Sequence, residues 1–169
     1  MKNITIPKRF SRAPNLTAGF GILEIVVAVF IISAALFSIM TVARLSLELN
    51  SKALWSAQAG FLLEEGSEGI RMLRDGDWTN ISALSSETPY ALVFENDSWE
   101  STTTLSLIDG MFYRTFRVNE VYRDSNDDIA SSGTLDPGTK KFLLDVSWWN
   151  GRSTTTKNIT FYLADIFSE

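Results

Sequence analysis

The chain has 169 residues, contains no cysteine and no histidine, and carries a formal net charge of −5. The missing cysteine excludes disulfides and thiolate metal sites, and the missing histidine removes the commonest general base and metal ligand. The sequence also lacks the glycine-rich phosphate loop, the dinucleotide fingerprint and the zinc-protease motif, so it does not indicate an enzyme or a cofactor.

Positive charge is concentrated at the start of the chain. Residues 1–19 hold no acidic side chain and four basic ones: Lys2, Lys8, Arg9 and Arg12. Because the whole chain carries −5, the side chains after residue 19 carry −9. An acidic body predicts no direct binding to nucleic acid, since phosphate contacts need clustered basic residues. A basic start is typical of a segment held on the cytoplasmic side of a membrane.

A long apolar segment follows. Residues 20–42 include one charged side chain, Glu24. At 1.5 Å per residue a helix of this length crosses a hydrocarbon core of about 30 Å. A buried core helix is the first alternative, but few soluble helices are apolar on every face. A secretory signal peptide is the second, but its apolar region is shorter and precedes its cleavage site, whereas here the small residues Ala18-Gly19 come first.

The helical pattern continues beyond the apolar segment, because no proline occurs between Arg44 and Gly76. Apolar and small residues recur at helical spacing on one face, and charged residues lie on the opposite face. Two glycines on the apolar face, Gly66 and Gly69, predict close approach of a packed sheet, and Asp75-Gly-Asp-Trp78 predicts the end of the helix. The apolar face comprises Trp55, Ala59, Leu62, Leu63, Gly66, Gly69, Ile70 and Leu73, and the charged face Glu64, Glu68, Arg71 and Asp75. On the charged face, the spacing predicts ion pairs of Arg71 with Glu68 and with Asp75.

The rest of the chain is rich in β-branched and aromatic residues, which predicts strands. Asp109-Gly110 and Asn150-Gly151 are hairpin signals. We therefore predict an α+β fold, in which one long N-terminal helix packs on an antiparallel sheet of three to five strands. The predicted strands cover residues 90–94, 101–108, 111–123, 141–150 and 156–166.

The stretch Gly19-Phe20-Gly21-Ile22-Leu23-Glu24 resembles the type IV prepilin signature, which is found in type IV pilins, type II secretion pseudopilins and competence pilins. That signature has a basic leader ending in Gly, then Phe, three mostly apolar residues, Glu and about 20 apolar residues. Two features depart from many pilins: Gly21 replaces the usual Thr or Ser, and the C-terminal cysteine pair is absent. The apolar helix also lacks the proline of many major pilins, so the chain looks more like a minor pilin or pseudopilin.

The resemblance implies a processing step and a set of partners. A prepilin peptidase would cut between Gly19 and Phe20, and Phe20 would become the N-methylated first residue. The chain would be a single-pass membrane protein, held in lipid before assembly, with its N-terminus cytoplasmic and its body extracytoplasmic. An inner-membrane assembly platform would then insert it among other pilin or pseudopilin subunits, where Glu24 would pair with the terminal amine of a neighbour.

These expectations divide the chain into four parts. They are a cleaved leader (1–19), a transmembrane and assembly helix (20–43), an amphipathic continuation of that helix (44–77) and a β-rich extracytoplasmic domain (78–169). The expected function is structural and not enzymatic. The alternative is a membrane-anchored binding domain that never polymerises. Glu24 distinguishes the two functions, because assembly needs this acid and an anchor would work better without it.

Two weaker patterns concern ligands. The spacing of Asp124, Asn126 and Asp128 matches the opening of an EF-hand calcium loop, but Ile129 stands where that loop requires glycine. A solvated loop of turn formers is the simpler interpretation. The aromatic residues Trp99, Trp148 and Trp149 are a candidate binding surface. Alternation along a strand predicts that Trp148 and Trp149 face opposite sides, one in the core and one exposed.

Overall fold

The computed structural model describes residues 21–166, and it has the predicted α+β fold. Its elements are helices α1 (Ile22–Gly76) and α2 (Thr79–Ser82) and strands β1 (Ala91–Glu95), β2 (Ser98–Thr102), β3 (Phe112–Arg123), β4 (Ile129–Ala130), β5 (Thr134–Trp149) and β6 (Thr154–Ala164). The chain forms two compact units, one up to Leu47 and one from Glu48 onward.

In the second unit, α1 presents its predicted apolar face to the sheet. Ala59, Leu63, Ile70 and Leu73 are buried there. The prediction for the two glycines is confirmed. A Cβ atom on Gly66 would lie 2.9 Å from the Leu144 side chain, and one on Gly69 would lie 3.0 Å from the Trp99 ring.

The ion pairs on the outer face of α1 differ in part from the spacing prediction. The predicted pair between Arg71 and Glu68 is present. The predicted pair between Arg71 and Asp75 is wrong, because Asp75 pairs instead with Arg74 at 2.7 Å. The helix ends at Gly76, inside the predicted stop signal, and the short helix α2 follows without having been predicted.

The main sheet has four antiparallel strands in the order β4-β3-β5-β6. Alternate residues of β3 point inward, as the sequence predicts, and they pair with inward residues of β5: Phe112 with Trp148, Arg114 with Val146, and Phe116 with Leu144. Because α1 and the sheet each bury one apolar face, their contact forms the core. Its largest fully buried side chains are Phe116, Phe142, Ile70, Ile81, Leu144, Val118 and Val146.

A separate hairpin, β1-β2, was only half predicted. Strand β1 matches the prediction for residues 90–94 to within one residue, but the prediction of a strand over 101–108 is wrong. Strand β2 begins earlier, at Ser98, and ends at Thr102. Asn96 and Asp97 form the two-residue turn between them, both with positive φ. Leu105 and Leu107 alternate as in a strand, but they lie about half exposed and outside the ladders.

Strands β3, β5 and β6 overlap their predicted ranges but differ from them at the ends. Strand β3 begins one residue inside its predicted range, and β6 runs two residues earlier at both ends. Strand β5 begins at Thr134, seven residues before its predicted start. A bulge interrupts its pairing with β3, because Glu120 pairs with Lys140 while Val121 pairs with Asp136. Asn150-Gly151 lies in the β5–β6 hairpin, as predicted.

Candidate functional site

The first part of α1 is an exposed apolar surface. Every described residue from 21 to 50 is exposed, including Ile22 at 83% and Leu23 at 77%. Within the described residues, α1 is the one helix that is both long enough and apolar enough to cross a membrane. So large an apolar surface on a helix requires lipid or protein to cover it.

Glu24 lies in the first turn of this helix and is exposed. Its backbone N–H donates to the Gly21 carbonyl oxygen at 3.0 Å. The next ionisable residue along the chain is Arg44. A carboxylate at a helix N-terminus interacts favourably with the helix dipole, but by only about 0.3–1 kcal/mol. That interaction is too small to offset the desolvation of an unpaired carboxylate in an apolar medium, so a buried Glu24 that stays ionised requires a cationic partner.

Two of the three hydroxyl groups of residues 21–43, those of Ser38 and Thr41, form hydrogen bonds that suit an apolar environment. Ser38 Oγ donates to the Ala34 carbonyl oxygen at 2.9 Å, and Thr41 Oγ1 donates to the Phe37 carbonyl oxygen at 2.9 Å. Both hydroxyl protons are therefore used within the helix. Glu24 is the one ionisable side chain of residues 21–43, so when it is buried in its ionised form it requires a partner from outside this segment.

Two of the predicted site residues, Gly19 and Phe20, lie outside the described residues. The predicted cleavage and methylation therefore remain predictions. Glu24 is described, and it lies exposed in the first turn of α1, while its predicted role in assembly remains a prediction.

The body contains a second charged feature, which the sequence did not predict. Arg114 of β3 is only 5% exposed and points toward α1. Its Nη1 atom lies 3.1 Å from Glu65 Oε2 and donates to the Leu62 carbonyl oxygen at 3.3 Å. The guanidinium carbon lies 5.4 Å from the centre of the Trp99 ring. The strand alternation that places Arg114 beside Phe112 and Phe116 was the available signal, but it does not reveal a partner on a distant helix.

The Asp-rich loop is organised by its own backbone and by Arg123. Asp124 Oδ1 accepts hydrogen bonds from the backbone N–H groups of Asn126 at 2.8 Å and Asp128 at 3.1 Å. Arg123 Nε donates to Asp136 Oδ2 at 2.7 Å, and this hydrogen bond lowers the pKa of Asp136. Within residues 21–166, no cluster of three or more potential metal ligands occurs. The calcium expectation for Asp124, Asn126 and Asp128 stays an untested prediction, and these contacts give it no support.

The tryptophans divide as the strand alternation predicts. Trp148 is 5% exposed, with its ring centre 5.8 Å from that of Phe112, whereas Trp149 is 60% exposed. Trp99 packs against the core, and its ring meets Phe94 edge-on at 5.4 Å. The three residues therefore do not form one aromatic surface.

Comparisons with protein-family models, curated proteins and solved structures found no match for this chain. The architecture is the general pilin-like one, because a long N-terminal apolar helix continues into a part that packs on a small antiparallel sheet. A candidate membrane-spanning helix near the N-terminus accompanies it.

Proposed function

We propose that this chain is a structural subunit, a minor pilin or pseudopilin, of a type IV pilus or a type II secretion-like pseudopilus. A prepilin peptidase removes residues 1–19, Phe20 is N-methylated, and the subunit assembles through its N-terminal helix. Before assembly the helix lies in the membrane, with the body on the extracytoplasmic side. The inner-membrane assembly platform then transfers the subunit into the filament.

One observation carries this proposal: the exposed first part of α1, residues 22–43, has a single charged side chain, and it is an acid in the first turn. The apolar residues beside Glu24 are well exposed, so the segment has surface to bury against lipid or other subunits. A membrane anchor gains little from a carboxylate at this position, because the favourable interaction with the helix dipole is small and the acid weakens partition into hydrocarbon. A helix bundle that brings a cation to Glu24 gives the acid a use.

Cleavage supplies that cation in the proposed mechanism. Before the cut, the nitrogen of Phe20 belongs to a peptide bond and carries no charge. After the cut it is a terminal ammonium. In a bundle of apolar helices the ammonium of one subunit pairs with Glu24 of its neighbour, and the low dielectric strengthens the contact. Leader removal is therefore required before assembly.

The test compares Glu24→Ala with wild type in the native host, with the membrane fraction and the sheared filaments measured separately. Glu24→Ala should enter the membrane and be cleaved normally, because the change removes a polar group from the apolar segment. It should be depleted from filaments, because the neighbour's ammonium loses its partner, a loss of a few kcal/mol in a buried pair.

Glu64→Ala is the matched control, since it also removes an exposed acid from α1 but lies in the body. It should enter filaments at the wild-type level. Equal incorporation of Glu24→Ala and wild type would refute the proposed role of Glu24. The alternative of a membrane-anchored binding domain would then be favoured.

A further inference from the structure

A cleft of about 270 Å³ lies between α1 and the β5–β6 hairpin. Its polar lining comes from Lys52 and Ser56 of α1 and from Thr155, Thr156 and Lys157 of β6. Lys52 and Lys157 are 105 positions apart in the chain. The fold therefore brings to one cleft two ammonium groups that the sequence does not place together.

The two segments that form this cleft are basic, although the body as a whole is acidic. Residues 49–63 contain Lys52 and no acidic side chain, and residues 146–164 contain Arg152 and Lys157 and no acidic side chain. Because the side chains after residue 19 carry −9 in total, the meeting of two acid-free basic segments is a local reversal of charge. A site of this kind attracts anions.

Glu48 compensates part of this positive charge. It forms an ion pair with Lys52 at 2.6 Å. The hydrogen bond and the charge of Lys52 lower the pKa of Glu48, and the charge of Arg152 adds to this effect, so Arg152 lies near the same carboxylate. One carboxylate offsets one of the three positive charges of Lys52, Arg152 and Lys157. The cleft therefore keeps a positive charge that an anionic ligand can use.

The hydrogen-bonding groups of the cleft are mainly donors. An ammonium group has three N–H donors and no acceptor. Lys157 Nζ donates to the Ser56 carbonyl oxygen at 3.2 Å, and Lys52 Nζ donates to its ion-pair partner, so each retains further donors. Thr155 Oγ1 accepts from Asn150 Nδ2 at 2.8 Å, which leaves its own proton to donate. Donors beside positive charges select a ligand whose oxygens only accept.

The position of Lys52 along the chain indicates one source of such a ligand. Lys52 follows the predicted membrane-spanning segment, residues 20–43, by nine positions, which make about 14 Å of helix. Side chains on a helix point toward its N-terminus, as the contact of Lys52 with Glu48 shows, so the ammonium lies about one turn closer to that segment. Lipid headgroups extend about 5–8 Å beyond the hydrocarbon core. The ammonium therefore lies at the outer edge of the headgroup layer.

We propose that the cleft between α1 and the β5–β6 hairpin, with Lys52 and Lys157 in its lining, binds one phosphate group. Phosphate oxygens are acceptors, and two ammonium groups supply both the charge and the donors they require. The acidic charge of the rest of the body disfavours a polymer of many phosphates. A phospholipid headgroup and free phosphate present the same chemical group, and the experiment separates them. The inference goes beyond filament assembly and does not depend on it.

The test measures the reactivity of individual lysines in the full-length protein. The protein is held in an uncharged detergent and acetylated briefly with an amine-reactive reagent, and each modified position is quantified by mass spectrometry. Inorganic phosphate should slow the labelling of Lys52 and Lys157 about threefold or more, compared with sodium chloride at the same ionic strength, because a bound anion favours the charged, unreactive ammonium. Lys141 does not line the cleft, and its labelling rate should not change.

A second arm tests the lipid source. The protein is placed in nanodiscs of phosphatidylcholine alone or of phosphatidylcholine with anionic phosphatidylglycerol, without free phosphate. Slower labelling of both cleft lysines with phosphatidylglycerol would assign the site to a lipid headgroup. Protection by free phosphate alone would assign it to a soluble ligand. Absence of protection in both arms, or equal slowing of Lys141, would overturn the inference.

Variants give a readout of opposite signs. Lys157→Gln should weaken phosphate binding about tenfold, measured as the protection of Lys52, because one charge-assisted contact is lost. Lys141→Gln is the matched control and should bind as wild type does. Glu48→Gln should tighten binding, because it removes the carboxylate that competes for Lys52. Equal protection of Lys52 in wild type and Lys157→Gln would contradict the site, and the melting temperatures check that each variant is folded.

Discussion

Arg114 of β3 and Glu65 of α1 form an ion pair at 3.1 Å across the contact between sheet and helix. The two ends of this pair have different environments, because the Arg114 side chain is 4% exposed and that of Glu65 is 51% exposed. Arg114 Nε is buried and has no hydrogen-bond partner. The pair therefore joins a buried cation to a half-exposed anion, and its two partners should respond differently to substitution.

Glu65→Ala should destabilise the body by about 1–3 kcal/mol, since it leaves the buried guanidinium with less compensation. Arg114→Met should be less harmful, because it removes the unsatisfied Nε and keeps most of the apolar volume. In the Arg114→Met background, Glu65→Ala should have little effect. Denaturant unfolding of the four proteins measures this cycle, and additive effects would contradict the assignment of the pair.

Replacing each of two glycines of α1 by alanine should change the stability of the body in opposite directions. Gly66→Ala should destabilise the body by about 1–3 kcal/mol, because the new methyl group would collide with Leu144, which is fully buried. Gly60→Ala is the control. Its methyl group would lie 3.5 Å from Lys157 Nζ, an ordinary contact, so the gain in helix propensity of up to about 1 kcal/mol should dominate. Thermal unfolding distinguishes the two, and equal effects would contradict the close approach at Gly66.

The Arg123–Asp136 contact predicts a pH dependence of stability. The hydrogen bond from Arg123 lowers the pKa of Asp136 in the folded protein, and Thr139 adds a second hydrogen bond. A carboxyl group with a lowered folded pKa stabilises the fold above its unfolded pKa, near 4, and loses that contribution as the pH falls through the folded value. Asp136→Asn should therefore be less stable than wild type at pH 7, and the difference should shrink below about pH 4. A difference that stays constant from pH 7 to pH 2 would contradict this account.

Several features of the fold follow from the sequence because they depend on local pattern. The alternation of Phe112, Arg114 and Phe116 predicts which face of β3 is buried, and the glycines of α1 predict close packing. The β1–β2 turn was missed because Asn96 and Asp97, and not glycine, adopt the positive φ values. The strand predicted over residues 101–108 fails because high β propensity does not by itself provide a neighbouring strand.

The candidate site also has one feature that local sequence pattern reveals and others that depend on contacts between distant parts of the chain. Glu24 is visible in the sequence, because a single acid breaks a long apolar run. The Arg114–Glu65 pair is not, because its members lie on different elements, 49 positions apart in the chain. The exposure of Leu54 and Phe61 required the structure as well, because helical spacing predicts which side of α1 packs on the sheet but not that apolar residues on the opposite side stay uncovered.

The central claim is that the chain is processed between Gly19 and Phe20 and then assembled. The most direct measurement is the intact mass of the protein recovered from sheared filaments of the native host. We expect a chain that begins at Phe20 and carries one added methyl group. Gly19→Val should block the cut, because the side chain crowds the scissile bond, and the uncut protein should stay in the membrane fraction. A mature protein that still begins at Met1, or whose N-terminus lies far from Phe20, would contradict the account.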